Sequence, residues 1–350
     1  MNWVDSNFGC YVTNKTYDTK MKRSYEIESR IKFMTISTNE LQLIKKTVEK
    51  YNKDNISRTK AYERFYERNP EIRWAMLAGI VSRNAGWNMT DLSSKWFQGI
   101  LDKNSRATIF AMYERANWII FQDAYPQLLL YEWAKKKQLP VFEQLKTFHV
   151  SEFMRQEWKI FWEARDEVRL CTSLIINEQQ LLELEVMSSG LFQKNVFHTL
   201  RYQLEEYAHF SYVLLPTLNG SIYGQYVRNF THVNQRIELG KRLAMILFHP
   251  VVHQDILQFT RKVEHTGSRR DYERICDITS PNTSPMLRVL HPVYHHKPSK
   301  GLDWFYSRKP LTPLFKRVKE TRPEEIREWV HTKRVELYWI YKWGQKFMHK

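Results

Sequence analysis

The sequence has 350 residues, of which 43% are hydrophobic and 14% aromatic, and only 11 are Gly. This composition excludes a mostly disordered chain and disfavours a sheet-rich fold with many tight turns. The formal net charge is +16, and it is uneven, since residues 261–350 carry 20 Lys and Arg against 10 Asp and Glu. Such a basic segment suggests a polyanionic partner such as nucleic acid or an anionic membrane surface, although a merely solvated basic face fits equally well.

The cysteines and the N-terminus indicate a compartment. Cys10, Cys171 and Cys276 are far apart and odd in number, so neither a disulfide framework nor a CxxC metal pair can be drawn from them. The first residues lack the basic and apolar regions of a signal peptide. No stretch reaches the roughly 20 clean apolar residues that a membrane span needs. We therefore expect a cytoplasmic protein without a transmembrane segment.

Hydrophobic periodicity predicts an all-α fold, a helical bundle of roughly eight to ten helices. Residues 1–35 are polar and are predicted to form an N-terminal arm. Residues 36–278 are predicted to form the helical core domain. Seven of the 12 prolines lie between Pro281 and Pro323, so residues 279–320 are predicted to be an extended strap packed on the core. Residues 321–350 are predicted to be a basic amphipathic helix that begins at a capping-box pattern at Thr321.

Several helix boundaries follow from capping chemistry. Asn69-Pro70-Glu71 predicts a helix start with Asn69 as N-cap, and Gly86 can end that helix in a left-handed conformation. Ser105 is predicted to begin a helix that Pro126 kinks or restarts. Ser151 is predicted to cap the next helix.

Residues 191–224 are predicted to contain a further helix followed by a loop. Residues 191–213 have a helical pattern that stops before Pro216. Residues 218–224 contain two of the glycines and are predicted to be a loop.

The stretch Ser82–Asp91 is the most unusual polar motif. Arg83, Asn84, Asn88 and Asp91 crowd around a Gly directly after an apolar run. Such residues most often cap helix ends, and that is the simpler interpretation. The alternative is a polar pocket at helix termini, where free N–H groups favour an anion.

Carboxylates on apolar helices are the candidate catalytic groups. Glu114 and Asn117 share a helical face, and Asp123 follows on the same predicted helix. A carboxylate in such a place is either paired in the core or tuned for proton transfer. The catalytic candidates are Asp91, Glu114 and Asp123, with Asn117 as a possible ligand contact.

The segment His265–Asp271 combines a Gly turn, hydroxyl groups and two arginines. A helix start at Ser268 and Asp271 is the simpler explanation. The alternative is a phosphate cradle with Arg269 and Arg270 as bidentate partners, and His265, Ser268 and Arg269 are the candidate ligand contacts. The spacing does not match a Walker, GxGxxG or GxSxG motif. The scattered histidines do not converge in sequence as metal ligands do, so we expect no metal and no cofactor.

The C-terminal segment places cations among aromatic residues, which is typical of surfaces that bind single-stranded nucleic acid or a membrane interface. An apolar stripe through the same helix could instead dock on the core and leave the cations solvated. The candidate nucleic-acid contacts are Arg327, Lys333, Arg334, Lys342 and Lys346.

These motifs resemble an uncharacterised family of Bacillus proteins, the YppC-like family, which is a domain of unknown function. The resemblance covers about residues 55 to 290 and supplies no activity and no site residues. It implies a cytoplasmic protein of spore-forming, Gram-positive bacteria. The motifs that carry it are Arg68–Ala78, Ser82–Asp91, Glu114–Trp118, Asp123–Gln127, Asn177–Gln179, Arg236–Gly240 and His265–Arg269.

Two functions follow from the sequence. The first is binding of nucleic acid or another polyanion through the basic C-terminal third. The alternative is a hydrolase-like enzyme with a polar Arg/Asn/Asp/Glu pocket for a small anionic substrate. The first requires the basic residues to share one exposed face, and the second requires the polar motifs to converge on one pocket.

Overall fold

The computed structural model describes residues 36–188, 212–226, 232–278, 284–297, 303–306 and 311–348, with side chains to Trp343 in the last range. The chain divides into two compact units, residues 1–42 and residues 43–350. The predicted N-terminal arm, residues 1–35, lies outside the described residues. The second unit contains the helical body and every site discussed below.

Helices dominate the described residues, which confirms the predicted fold class. The α-helices are α1 (Thr38–Tyr51), α2 (Asn55–Arg68), α3 (Arg73–Asp91), α4 (Lys95–Ile100), α5 (Lys103–Lys137), α6 (Glu152–Ala164), α7 (Glu167–Leu182), α8 (Val233–Leu247), α9 (His253–Lys262), α10 (Arg270–Glu273), α11 (Leu287–Leu290) and α12 (Arg327–Met348). Short segments of other helix types occur at Phe142–Phe148, Glu183–Met187, Trp304–Tyr306 and Thr312–Phe315.

A two-stranded antiparallel hairpin interrupts the helices. Strand β1 (Tyr212–Pro216) pairs with β2 (Ile222–Tyr226), and Leu214 lies opposite Gly224. The predicted helix is wrong at Tyr212 and Val213, whereas residues 191–211 lie outside the described chain. The predicted loop is confirmed at residues 218–221, which form the turn of the hairpin, and is wrong at 222–224, which belong to β2. Pairing of the two segments satisfies backbone groups that neither segment could satisfy alone, and periodicity along the chain does not report such pairing.

Asn69 ends α2 instead of starting α3, so the predicted cap is wrong. Its backbone N–H donates to the carbonyl oxygens of Phe65 and Tyr66, which are the last acceptors of α2. Its side-chain amide donates to Glu132 Oε1 at 3.1 Å. Helix α3 then begins at Arg73.

Gly86 lies inside α3, which continues to Asp91, so the predicted helix end at Gly86 is also wrong. A Cβ at this position would lie 2.4 Å from Asn55 Oδ1 and 3.0 Å from the ring of His265. Gly86 therefore serves close packing of three segments instead of a left-handed turn.

Helix α5 begins before the predicted Ser105. Asp102 is its N-cap and accepts hydrogen bonds from the backbone N–H groups of Asn104 and Ser105 at 2.8 and 2.9 Å. The helix continues across Pro126 to Lys137 without a restart. Ser151 caps α6, as predicted, by accepting a hydrogen bond from the Met154 N–H at 3.3 Å.

The described parts of the Pro-rich segment pack against the core at Trp304. This side chain is 7% exposed, and its Nε1–H donates to Asn177 Oδ1 at 2.8 Å. The terminal helix begins at Arg327, so the predicted start at Thr321 is wrong. Residue Ile326 donates its backbone N–H to Ile222 O at 2.8 Å, and this bond ties the entry of α12 to β2.

Two hydrophobic clusters hold α12 against the body. Val330 is buried in a cluster that contains Trp87, Leu214, Phe259 and Tyr272. Further along the helix, Leu337 and Tyr341 are buried in a second cluster, which contains Phe97. Burial of one face over several turns fixes the rotation of α12 and so decides which of its cations face inward.

Candidate functional site

A cavity of about 50 Å³ lies between the second half of α3, β1, the turn before α10, and α12. Polar, charged and aromatic side chains line it from segments far apart in the sequence. The lining residues are Asn84, Trp87, Asn88, Asp91, Phe97, Tyr212, Leu214, Arg269, Tyr272, Trp329, Val330, Lys333 and Arg334.

Arg269 and Asp91 form the first ion pair of the cavity. Arg269 Nε lies 2.5 Å from Asp91 Oδ1, and the side chains are 9% and 7% exposed. Burial raises the pKa of Asp91, and the guanidinium groups of Arg269 and Arg334 oppose that rise. Arg269 Nη2 makes no hydrogen bond within the described residues.

Arg334 forms the second ion pair and reaches into the cavity from α12. Its guanidinium contacts Glu273 Oε1, and Nη2 donates to the hydroxyl of Tyr272 at 2.6 Å. Burial lowers the pKa of Arg334, although a guanidinium stays charged at any physiological pH. This inward arginine connects the terminal helix to α10.

The two asparagines of the Ser82–Asp91 motif differ in their contacts and in their exposure to solvent. Asn84 donates to Leu214 O at 2.8 Å and accepts from Leu214 N–H at 2.7 Å, so its amide fixes β1 to α3. Asn88 is half-buried and lies 3.5 Å from the hydroxyl of Tyr113. Asn84 is therefore structural, and Asn88 is the motif amide nearer to solvent.

Three predicted ligand contacts lie outside the cavity lining and make internal bonds. Arg83 donates to Glu63 Oε1 and to Val263 O, both at 2.9 Å. Ser268 donates to Ser284 O at 2.7 Å. Asn117 donates to Tyr113 O at 2.8 Å, one helical turn earlier on α5. These contacts secure neighbouring segments to one another.

His265 likewise makes internal contacts that join distant segments. Its Nε2 lies 2.8 Å from Asn55 Oδ1, and its Nδ1 lies 3.3 Å from Asp271 Oδ2. Burial lowers the pKa of His265 to about 4. Asp271 also accepts a hydrogen bond from Trp87 Nε1–H at 3.0 Å. The His265 segment therefore holds Trp87, which lines the cavity, in place.

The three candidate catalytic carboxylates do not share a partner. Asp91 lines the cavity, whereas Glu114 Oε2 lies 2.5 Å from Arg58 Nη2 in a buried pair. Asp123 Oδ2 accepts from Gln127 Nε2 and from Asn177 Nδ2, both at 2.7 Å. Convergence on one pocket therefore holds for Asp91 and fails for Glu114 and Asp123.

The predicted nucleic-acid contacts divide between two faces of α12. Arg334 is 6% exposed, and Lys333 lines the cavity and pairs with the exposed Glu336. Arg327 and Lys342 are exposed. The side chain of Lys346 lies outside the described residues.

Tyr272 and Tyr212 line the cavity although the sequence did not point to them. Trp329 also lines it, and the sequence indicated this residue only as one of the aromatic side chains among the cations of the terminal segment. The rings of Tyr212 and Trp329 stack with centroids 3.7 Å apart, and the ring of Tyr272 lies 4.6 Å from that of Trp87. For Tyr272 a signal existed, because it follows Arg269 by three residues. For Tyr212 and Trp329 the pairing is a tertiary contact with no local signature.

Neither a metal centre nor a membrane-spanning helix is found within the described residues. No group of three or more His, Cys, Asp and Glu side chains there is arranged to hold a metal ion. Among the same helices, none combines the length and the apolar composition needed to cross a membrane.

The buried Asp123 makes the stability of the protein pH-dependent. Burial raises the pKa of Asp123 to about 7, so between about pH 4 and pH 7 the folded state binds a proton that the unfolded state has lost. The free energy of unfolding therefore falls as the pH rises through this window. Asp123→Asn keeps an acceptor oxygen for Gln127 and Asn177. It is expected to raise the free energy of unfolding by on the order of 2 kcal/mol at pH 8 and to leave it unchanged at pH 4. Urea unfolding at pH 4, 6 and 8 measures this difference.

The exposed N-cap Asp102 provides the matched control, since hydrogen bonds from Ser105 and Asn104 lower its pKa. Asp102→Asn keeps a capping oxygen and is not expected to stabilise the protein at pH 8. Parallel pH profiles for Asp123→Asn and the parent protein would contradict the raised pKa.

The described chain is thus a helical protein whose terminal helix closes a small cavity lined by two buried arginines. Residues 50–331 match the family model described as "Protein of unknown function (DUF2515)", and the chain belongs to that family. The uncharacterized protein YppC of Bacillus subtilis (strain 168) is 43% identical over 310 residues, which cover 87% of this chain and 96% of that relative. These findings confirm the resemblance drawn from the motifs. No solved structure matches the chain.

Proposed function

We propose that this protein is a cytoplasmic nucleic-acid-binding protein that uses the outward face of α12 for single strands. The observation that carries the proposal is a stripe of exposed apolar side chains at intervals of four residues. Val335, Trp339 and Trp343 are 42%, 56% and 66% exposed. Side chains four residues apart on a helix lie on the same face, so the two indole rings are neighbours on the surface.

Large exposed indole rings are costly unless a partner covers them. The same helix buries Val330, Leu337 and Tyr341, so its attachment to the body does not need the outward tryptophans. The bases of a single strand stack on such rings at about 1–3 kcal/mol per base, without regard to sequence.

Exposed cations on α12 and in the segment before it suit the phosphates of a strand. The Nζ of Lys342 lies 5.7 Å from the ring centroid of Tyr338 on α12, and the side chain of Arg327 is exposed. The segment leading into α12 adds four more exposed cations. These are Lys316, Arg317, Lys319 and Arg322.

The hydrolase-like alternative has less support. It requires carboxylates from several motifs in one pocket, and only Asp91 of the three candidates lines the cavity. Asp91 is also held against Arg269, which suits an ion pair better than a proton donor.

The proposal is tested by fluorescence anisotropy with labelled single-stranded DNA, single-stranded RNA and duplex DNA over a salt series. We expect micromolar or tighter binding to single strands, with an affinity that falls steeply as salt rises. The double substitution Trp339→Ala with Trp343→Ala removes two stacking surfaces and is expected to weaken binding roughly tenfold or more.

The control is Val251→Ala, because Val251 is 59% exposed and lies outside α12. This variant should bind like the parent protein. Absence of binding to all strands at low salt, or equal binding by the double tryptophan variant, would overturn the proposal. Binding to heparin or anionic vesicles without binding to nucleic acid would also overturn it and point to another polyanion.

A further inference from the structure

We propose that the cavity between α3, the turn at Arg269 and α12 is a binding site for a small tetrahedral oxyanion. Inorganic phosphate and the phosphoryl group of a small phosphorylated ligand share this chemistry. The exposed Trp339 and Trp343 of α12 do not line this site, and the inference goes beyond the nucleic-acid function proposed above.

The first argument is a donor of Arg269 that no described residue engages. Arg269 is 7% exposed, and its Nη2 has no hydrogen-bond partner within the described residues. Its Nε lies 2.5 Å from Asp91 Oδ1 in the ion pair described above. The Nε–Nη2 edge of a guanidinium is the edge that binds carboxylates and phosphates through two parallel bonds. A buried charged donor without a partner is costly, which indicates that a ligand completes it.

Other buried arginines differ from Arg269 in this respect. Within the described chain, the buried Arg58 and Arg83 and the half-buried Arg155 each lack a partner at Nε alone, and both Nη atoms of each have a partner. Arg236 Nε donates to Gln179 Oε1 at 2.9 Å, and its Nη2 donates to Glu183 Oε2 at 2.7 Å. The vacancy at Nη2 of Arg269 is therefore a feature of the cavity, because the Nη2 atoms of these other arginines have partners.

The second argument is size. The cavity of about 50 Å³ is large enough for roughly four water-sized groups, since each needs about 10–15 Å³. An oxyanion with four oxygen atoms matches this space, whereas a whole nucleotide does not. A larger ligand would place its phosphoryl group in the cavity and leave the remainder outside, beside the half-buried Asn88 and Trp329.

The third argument is charge. Arg269, Arg334 and Lys333 line the cavity, and Asp91 is the carboxylate that opposes them there. Both Nη groups of Arg334 are engaged, one with Glu273 and one with Tyr272, so Arg334 adds positive electrostatic potential to the cavity. Arg269 would donate the direct hydrogen bonds to the anion. Asp91 competes with an incoming anion for Arg269. Loss of the Asp91 charge should therefore strengthen anion binding.

Isothermal titration calorimetry at constant ionic strength tests the site, with inorganic phosphate in one arm and phenyl phosphate in the other. We expect saturable binding of at least one probe by the full chain. Arg269→Lys keeps the charge but loses the paired donors, and it is expected to weaken binding roughly tenfold or more. Asp91→Asn is expected to tighten binding. Tighter binding of phenyl phosphate than of phosphate would identify a phosphorylated ligand as the source, and the reverse would identify free phosphate.

The matched control is Arg236→Lys, since Arg236 is 1% exposed and does not line the cavity. This change is expected to leave the anion affinity unchanged, whatever it costs in stability. Heat of binding indistinguishable from a chloride titration would overturn the site, and so would equal binding by Arg269→Lys and the parent protein. The double tryptophan variant of α12 should bind the oxyanion normally, and Arg269→Lys should bind nucleic acid normally, so the two proposals fail independently.

Discussion

Replacing Arg58 with Met is expected to lower the free energy of unfolding by about 3–5 kcal/mol, because the change leaves a buried carboxylate without its cation. Arg58 is fully buried, and its Nη2 lies 2.5 Å from Glu114 Oε2. Its Nη1 also donates to Asn52 Oδ1 at 3.1 Å, so the substitution removes a second buried bond. Urea denaturation at neutral pH measures the loss.

The double variant Arg58→Met with Glu114→Gln separates the charge effect from the packing effect. It removes both charges and is expected to recover most of the stability lost in Arg58→Met. A double variant as unstable as the single one would show that packing of the arginine, and not pairing with Glu114, supplies the stability. That outcome would leave Glu114 open to the catalytic role that the sequence suggested.

Replacing Arg334 with Met is expected to cost a similar amount, about 3–5 kcal/mol, and to loosen α12 in particular. The change leaves the buried Glu273 carboxylate without its cation and removes the 2.6 Å hydrogen bond to the Tyr272 hydroxyl. Hydrogen exchange of α12 amides should rise more than exchange in α5, which makes no direct bond to Arg334 among the described residues. The measurement is exchange by mass spectrometry alongside denaturation.

Lys342→Met is the matched control on the same helix, because Lys342 is exposed. A surface change of this kind is expected to alter stability by no more than about 0.5 kcal/mol. Equal stability losses for Arg334→Met and Lys342→Met would contradict the inward placement of Arg334. The pair also tests nucleic-acid binding, since only Lys342 faces outward and should contribute to the salt dependence.

The sequence predicted much of the local structure. Polar caps and apolar periods gave the helical class and the start of α6 at Ser151. The same rules failed where a residue makes a long-range contact. Asn69 looks like an N-cap but bonds to Glu132, and Gly86 looks like a helix end but makes room for Asn55 and His265. Local capping propensities are worth about 1 kcal/mol, which tertiary packing readily exceeds.

The candidate site was predicted in part. Asn88, Asp91 and Arg269 were selected as polar groups at helix ends, and they line one cavity. Arg334 was selected as a surface cation, and it lies inside. Its position offered a signal, because it falls between Val330 and Leu337 on the apolar face of α12. A charge on that face requires a buried partner, and the sequence did not indicate that Glu273 would be that partner.

The sequence by itself determined a helical chain of a known family with a basic, aromatic-rich end. Only the tertiary structure decided that the Asp91 end of α3, the Arg269 turn and the Arg334 turn of α12 enclose one cavity. The physical reason is the distance along the chain over which each interaction acts. Periodicity and capping act within about one helical turn, so they can be read along the chain. The pairing of buried charges depends on which distant segments exclude water together, and that is settled only when the whole core packs.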